Sequence, residues 1–478
     1  MKSRALLGLL IVACGAFVTS AAAQKPTRCS LSSDRMRIDS TAVGSVGFAG
    51  GGVVIRCPER GVTLRGDSAE RFPDHDMMIG HAVFDDPRLH ATSQYMTQYP
   101  ADDRILAVGD VHARLANGST LDGPIAEWRR IIPKVRPRQQ ILATSRPTIN
   151  IVEKDSTGKP QPPTTVVAER VFMDGDSLVY GSGQVVITRP EITASADSVS
   201  IDQGKETMRL ERQPQLIGKK DRQFTLKGDV IDLYSKNRKL IRVVSRANAV
   251  AVSDSMTITS DTIDLRMSDD LLQHAYAWGK KSRARAQSPS QDMLADSLDV
   301  TMPRSKVQLV RAVKNAFAQG KPDSTRFHVE KTDSTDWIRG DTIVAHFDTL
   351  AQRDTSKTPN IQLLVANGHA SSLYHLAPSD SAERRAAINY VNARTININF
   401  DKQRVATVTA VDSVSGVYIE PTADSTARTA AAGAKAKAPA SAKPAGAATS
   451  TPSTRPPASK PPAKPPAESS TPLAAKRP

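Results

Sequence analysis

The sequence predicts an all-β protein built from stacked two-strand repeats. Three observations predict it. Of the 478 residues 39% are hydrophobic but only 4% aromatic, so any interior is aliphatic. Val, Ile and Thr recur in short alternating runs that suit a pleated surface. Six segments share the order apolar, any, small, Asp, Ser/Thr/Val, apolar, polar, apolar, the first of them degenerate at its end. Their aspartates are Asp67, Asp197, Asp229, Asp261, Asp296 and Asp341; from Asp197 onward the spacings are 32, 32, 35 and 45 residues. A fixed pitch broken by one longer interval is the mark of stacked supersecondary units.

In chain order, Lys2 and Arg4 precede an apolar run over 5–18, and Ala21, Ala22 and Ala23 supply small residues for cleavage. Residues 1–23 therefore read as a secretory signal peptide. A second reading takes Ile11 to Cys14 as a lipoprotein box with Cys14 acylated. On the first reading Cys29 and Cys57 are the cysteines of the mature chain. An even pair in an oxidising compartment reads as one disulfide stapling the first strands, with two unpaired thiols as the alternative. No later apolar stretch approaches the ~18 residues that cross a bilayer.

Residues 24–150 form a first β unit. Turn formers and prolines clustered at 154–165 set it apart from a longer unit over 151–421. The polar stretch 321–336 sits inside the longest repeat interval and reads as an insertion loop. Residues 422–478 are almost entirely Ala, Pro, Ser, Thr and Lys. They bury too little apolar surface to offset their ordering entropy and read as a disordered tail.

Each repeat carries a physical message. Ile231-Asp232-Leu233 and Ile263-Asp264-Leu265 alternate with period two, the pattern of a strand with one buried face. The apolar residue three before each repeat aspartate lies five positions from the next one, an odd step that places the two on opposite faces of a regular strand. The small-Asp pair between them is where a bulge or bend restores the face. The second half of each unit is a looser alternation, as at 104–115, 239–252 and 361–373. Two strands and two turns in ~32 residues suit strands of about 8–12 residues with tight connections.

These repeats, best seen at 79–115, 185–210 and 228–250, resemble the OstA-like periplasmic proteins of the lipopolysaccharide-transport bridge (the LptA type). The resemblance covers residues 36–421. It implies an elongated, open β-jelly roll with an apolar trough between two sheets. Val199, Ile201, Ile231, Leu233, Ile263, Leu265, Leu298 and Val300 are the groove candidates; a dry, closed core uses the same residues. It implies lipopolysaccharide or a similar glycolipid as cargo, since each CH₂ shielded from water is worth about 0.8 kcal/mol. It implies a periplasmic location reaching the inner face of the outer membrane. It also implies edge-strand addition to other jelly-roll transport proteins, or head-to-tail self-association. The chain departs from the family in its length and in its Ala/Pro/Lys tail. The rival reading is a structural or adhesive β-solenoid of the envelope without lipid cargo.

Of the net charge of +15, the leader carries +2 and residues 422–478 carry +7, leaving +6 on the body. In an exported chain this suits anionic envelope components rather than nucleic acid, or simply a solvated basic surface. The repeat aspartates read as side chains bonded to nearby backbone amides at a bend. Asp174-Gly175-Asp176 reads as a turn, and Asp74-His75-Asp76 with His81 as strand-turn-strand rather than a metal site. With no HExxH, paired CxxC or nucleophile elbow, no catalytic residue, metal or cofactor is expected.

Overall fold

The alternation of apolar and polar residues becomes, in the computed structural model, one unbroken antiparallel meander. The described residues are 29–421 without 42–43, 155–156, 220–223, 254–255, 270, 290, 323–334, 349–359, 377–384 and 402–403. The expected leader with Cys14, the expected tail, and most of the 321–336 loop lie outside them.

The described residues form thirty strands. The first are β1 (Ser30–Ser32), β2 (Arg35–Thr41), β3 (Gly44–Cys57), β4 (Val62–Arg71) and β5 (Asp76–Asp86). Next come β6 (Leu89–Tyr99), β7 (Arg104–Leu115), β8 (Thr120–Arg129), β9 (Gln140–Thr144) and β10 (Thr148–Ile151). They lead to β11 (Thr164–Val167), β12 (Arg170–Asp174), β13 (Leu178–Thr188), β14 (Ile192–Asp202) and β15 (Thr207–Glu211). Beyond these lie β16 (Gln215–Gly218), β17 (Phe224–Lys227), β18 (Val230–Lys236), β19 (Lys239–Ser253) and β20 (Thr257–Ser268). Then follow β21 (Leu271–Trp278), β22 (Ala284–Gln287), β23 (Gln291–Ala295), β24 (Ser297–Thr301) and β25 (Leu309–Gly320). The last are β26 (Asp336–Phe347), β27 (Ile361–Leu376), β28 (Ala387–Asp401), β29 (Arg404–Val411) and β30 (Ser415–Ile419).

Many short strands are halves of one longer strand. β17 and β18 both pair with β19, and β15 and β16 both pair with β14. The division expected at 150/151 meets an unbroken ladder, because β10 pairs with β8 on one side and β11 on the other. Cys29 and Cys57 form a disulfide that ties β1 to β3 beside the Ser30–Arg56 pair.

Every long strand changes direction in its middle, and two kinds of corner alternate. At the first kind stands the small-Asp pair read from the sequence. The strand keeps its apolar side inward through the odd step: Ala194 and Val199, Leu226 and Ile231, and Ile258 and Ile263 are all buried. The second kind, on the neighbouring strand, is a pair of left-handed residues: Gly80-His81, Ala247-Asn248, Lys314-Asn315 and Gly368-His369. There the strand carries one residue more than its neighbour, as between Ile79 and Val83 opposite Ser68 and Arg65, and between Ile79 and Ala82 opposite Tyr95 and Ser93. That is a β-bulge, which bends and twists the strand.

The two corners are bonded to each other. Asp67 pairs with His81 at 2.8 Å and Asp341 with His369 at 3.0 Å. Asn248 donates to Asp229 at 3.2 Å, Asn315 to Asp296 at 3.3 Å, and Arg212 to Asp197 at 3.4 Å. Asp261 instead accepts from the backbone N–H groups of Lys280, Lys281 and Ser282 and from the Ser282 hydroxyl at 2.6–3.1 Å.

The corners fold the meander back on itself into two facing walls. β6 is 11 residues long, so a straight strand would hold its two ends roughly 35 Å apart. Yet Asp86, just before it, and Asp103, just after it, both accept from Arg130, at 3.1 and 3.3 Å. One continuous apolar core lies between the walls, from Val53 to Ile398. On the outer surface, Asp232 is bonded by Arg209 and Arg246 and Asp264 by Arg242, cross-strand pairs that leave both carboxylates buried.

Gly80 has φ +74°, and a Cβ there would lie 2.4 Å from the Asp67 carboxylate. Gly80→Ala is expected to lower the unfolding free energy by at least about 1–2 kcal/mol, measured by urea titration; a loss below about 0.5 kcal/mol would contradict the corner. The Ser282 hydroxyl, followed by the Lys281, Ser282 and Lys280 amides, holds the Asp261 carboxyl below its ordinary 3.8. A depressed carboxyl stabilises the fold above its unfolded value and loses that contribution as pH falls through the lowered one. Asp261→Asn should therefore flatten the fall in stability below about pH 4, followed by circular dichroism; an unchanged acid profile counts against the corner bond.

Candidate functional site

The candidate site is the space between the walls and the rims that close it. All eight groove candidates face inward, placed there by the period-two alternation beyond each corner. None is more than 7% exposed, and Ile231, Ile263 and Val300 are fully buried. They sit on β14, β18, β20 and β24, and cross-strand neighbours such as Leu210 and Ala277 belong to the same core. Along these strands the candidates form part of one buried apolar core rather than the lining of an open trough.

Among the described residues, the rims opposite the corners are bridged by charged side chains in two places. The first clasp is formed by Arg60, Asp86, Asp103 and Arg130. Arg130 donates to both carboxylates and to the Arg60 carbonyl at 2.9 Å, and the Arg60 guanidinium reaches Asp103 at 3.5 Å. Arg136 braces it through the carbonyls of Arg130 and Asp102.

The second clasp centres on Arg238, in the connection after β18. Its guanidinium donates to Glu153 on the opposite rim at 3.2 Å and to the Gln203 carbonyl at 2.7 Å. Arg189, next to Glu191 on that opposite rim, donates to the Arg238 carbonyl at 2.9 Å. Burial pushes the Glu153 carboxyl above its ordinary value, opposed by the pull of Arg238 and Arg189. Under this clasp lies a cavity of about 30 Å³ bordered by Ile151, Ile201, Met208 and Leu233 below and by Gln203, Glu206 and Arg238 above. That is room for a water or two, not for an acyl chain. Gln203 is 9% exposed, and its Nε2 has no hydrogen-bond partner.

The other sequence candidates are not brought together. Asp174-Gly175-Asp176 is at the turn from β12 to β13. His75 bonds Asp74, Asp76 bonds Arg71, and His81 bonds Asp67. Among the described residues no three His, Cys, Asp or Glu side chains form a group able to hold a metal ion. Sequence reasoning missed the clasps, whose members are far apart in the chain and share no motif. It also missed corner residues that are not aspartate, such as Gln94, which donates to Asp110 at 2.6 Å, and Glu169, which accepts from Arg146 at 2.9 Å. The Gly109-Asp110 and Gly183-Gln184 dipeptides mark those positions in the sequence.

The chain matches no family model and no curated protein.

If the interior is packed as described, Ile231→Ala should cost about 2–5 kcal/mol, measured by urea unfolding. A cost below about 1 kcal/mol would show that this position faces space rather than neighbours.

Proposed function

We propose that this chain is an envelope bridge protein that carries the acyl chains of lipopolysaccharide, or of a related glycolipid, towards the outer membrane. The observation that carries the reading is the single aliphatic core that runs through every pair of walls from Val53 to Ile398. A path for hydrocarbon has to be continuous, because each exposed methylene is costly in water.

The two ends of the meander add support. β1 and β2 pair only with β3, and β29 and β30 only with β28, among the described residues. At one end Met36 and Ile38 are exposed, at the other Val414, Val417, Tyr418 and Ile419. Unpaired edges carrying apolar side chains are templates for strand addition. On this reading they join further jelly-roll proteins or a second copy, head to tail, into a longer path. A signal peptide and a periplasmic location belong to the same proposal.

One observation favours the second reading, a cargo-free structural element. The groove candidates are buried in one apolar core, and the rims above them are clasped.

Photo-crosslinking separates the two. A photoreactive residue at Ile231 or Leu265, in cells exporting glycolipid, is expected to give a lipopolysaccharide adduct, while one at the outward Ser200 gives none. Absence of adducts at every inward position leaves the structural reading. Val417→Lys with Ile419→Lys should abolish concentration-dependent self-association in sedimentation without altering the circular dichroism spectrum; undiminished association would remove the edge from the account.

A further inference from the structure

Every groove candidate is buried, so an acyl chain can reach them only where the walls part. We propose that they part at the Arg238 clasp, and that the cavity beneath it is the port by which the acyl chain of an amphiphile with a hydroxylated, sugar-type head enters. This rests on the cargo reading above and adds to it a place and a head-group chemistry.

The floor of the cavity is already the candidate path. Ile201 and Leu233 are groove residues, and Met208 beside them is an unbranched, adaptable side chain suited to a chain of variable position. The roof is held by polar contacts, and Arg238 is the strap that spans it, reaching Glu153 on one rim and Gln203 on the other. Two bonds therefore cross between the rims here, from the Arg238 guanidinium to Glu153 and from Arg189 to the Arg238 carbonyl, and removing both side chains frees the rims.

The two clasps differ in how well they are satisfied. Arg130 meets two carboxylates and a carbonyl in the first, with Arg136 behind it. In the second, the Gln203 Nε2 is buried without an acceptor. A buried donor left unmet is a standing cost that a ligand oxygen removes. The sign of the charge bears on the head group. Glu153, Asp202 and Glu206 outnumber Arg189 and Arg238 around the cavity, which disfavours a bare phosphate. Hydroxyls both give and take hydrogen bonds, so they match a free amide donor set among carboxylate acceptors.

The test uses the full chain with Cys14→Ser and a reporter, Leu233→Cys, labelled by a maleimide under non-reducing conditions. A second reporter, Leu298→Cys, lies in the same core away from the cavity. Adding Arg238→Ala together with Arg189→Ala, which removes both bonds across the rims, is expected to raise labelling at 233 by about tenfold or more and to leave 298 unchanged, since opening is local. Dodecyl maltoside should then protect 233, dodecyl phosphate should do so less, and maltose alone should not. A parallel rise at 233 and 298 would mean general loosening and would overturn the port. So would no rise at 233, or a rise that dodecyl maltoside does not suppress, in which case the cavity holds water only. Glycolipid adducts at Ile263 with 233 closed would keep the cargo reading and reject the port. Selective opening and maltoside protection at 233, without glycolipid adducts anywhere in the interior, would keep the port and reject lipopolysaccharide as its cargo.

Discussion

A strand that turns a corner while keeping one face dry has to break its own period, and the rest of this molecule depends on how it does so. An odd number of steps separates Ala194 from Val199 and Leu226 from Ile231, yet all four are buried. The step is absorbed by a small residue followed by an acidic or amide side chain on one strand, and by a left-handed pair on the next. The carboxylate of the first corner then holds the second, through His81, Asn248, Asn315 or His369. Repeated along the ladder, this pairing folds a flat meander into two walls. Without it the apolar residues of the two half-strands would face opposite ways, and no common interior would exist.

The same geometry sets the tension in the functional reading. Walls that meet at a line of corners are free to approach or separate at their opposite rims. In the described structure the rims approach, and the clasps around Arg130 and Arg238 bridge them. Clasps of this kind contribute modestly to stability once desolvation is counted, because charged groups withdrawn from water recover only part of that cost from each other. A closure made of them suits walls that open and close better than a closure of packed aliphatic side chains would. The interior is a buried core in the described structure, and on the proposed reading it becomes a path when the walls part.

The strands and the first kind of corner were legible in the sequence because both are local. Ile263-Asp264-Leu265 states its own period, and Ser260-Asp261 states its own bend. The left-handed corners were less legible: Gly80-His81 and Gly368-His369 announce themselves through glycine, but Arg212-Gln213 and Lys314-Asn315 do not, since ordinary residues are held at positive φ there by their neighbours. The clasps were not legible at all. Arg238 and Glu153 are 85 residues apart, and only the folding of the walls brings them together. Burial was half legible. Alternation showed which residues point inward, while whether they meet each other or empty space is decided by the distance between walls.

The central claim is that the walls part to admit an acyl chain. It is tested most directly by measuring the distance between the rims with and without cargo. Spin labels at Lys205→Cys on one rim and Lys219→Cys on the other, in the Cys14→Ser background, report it by pulsed electron resonance. In samples where glycolipid co-elutes with the chain, the account predicts a longer distance than in the lipid-free protein. An identical distance distribution with glycolipid bound would contradict it.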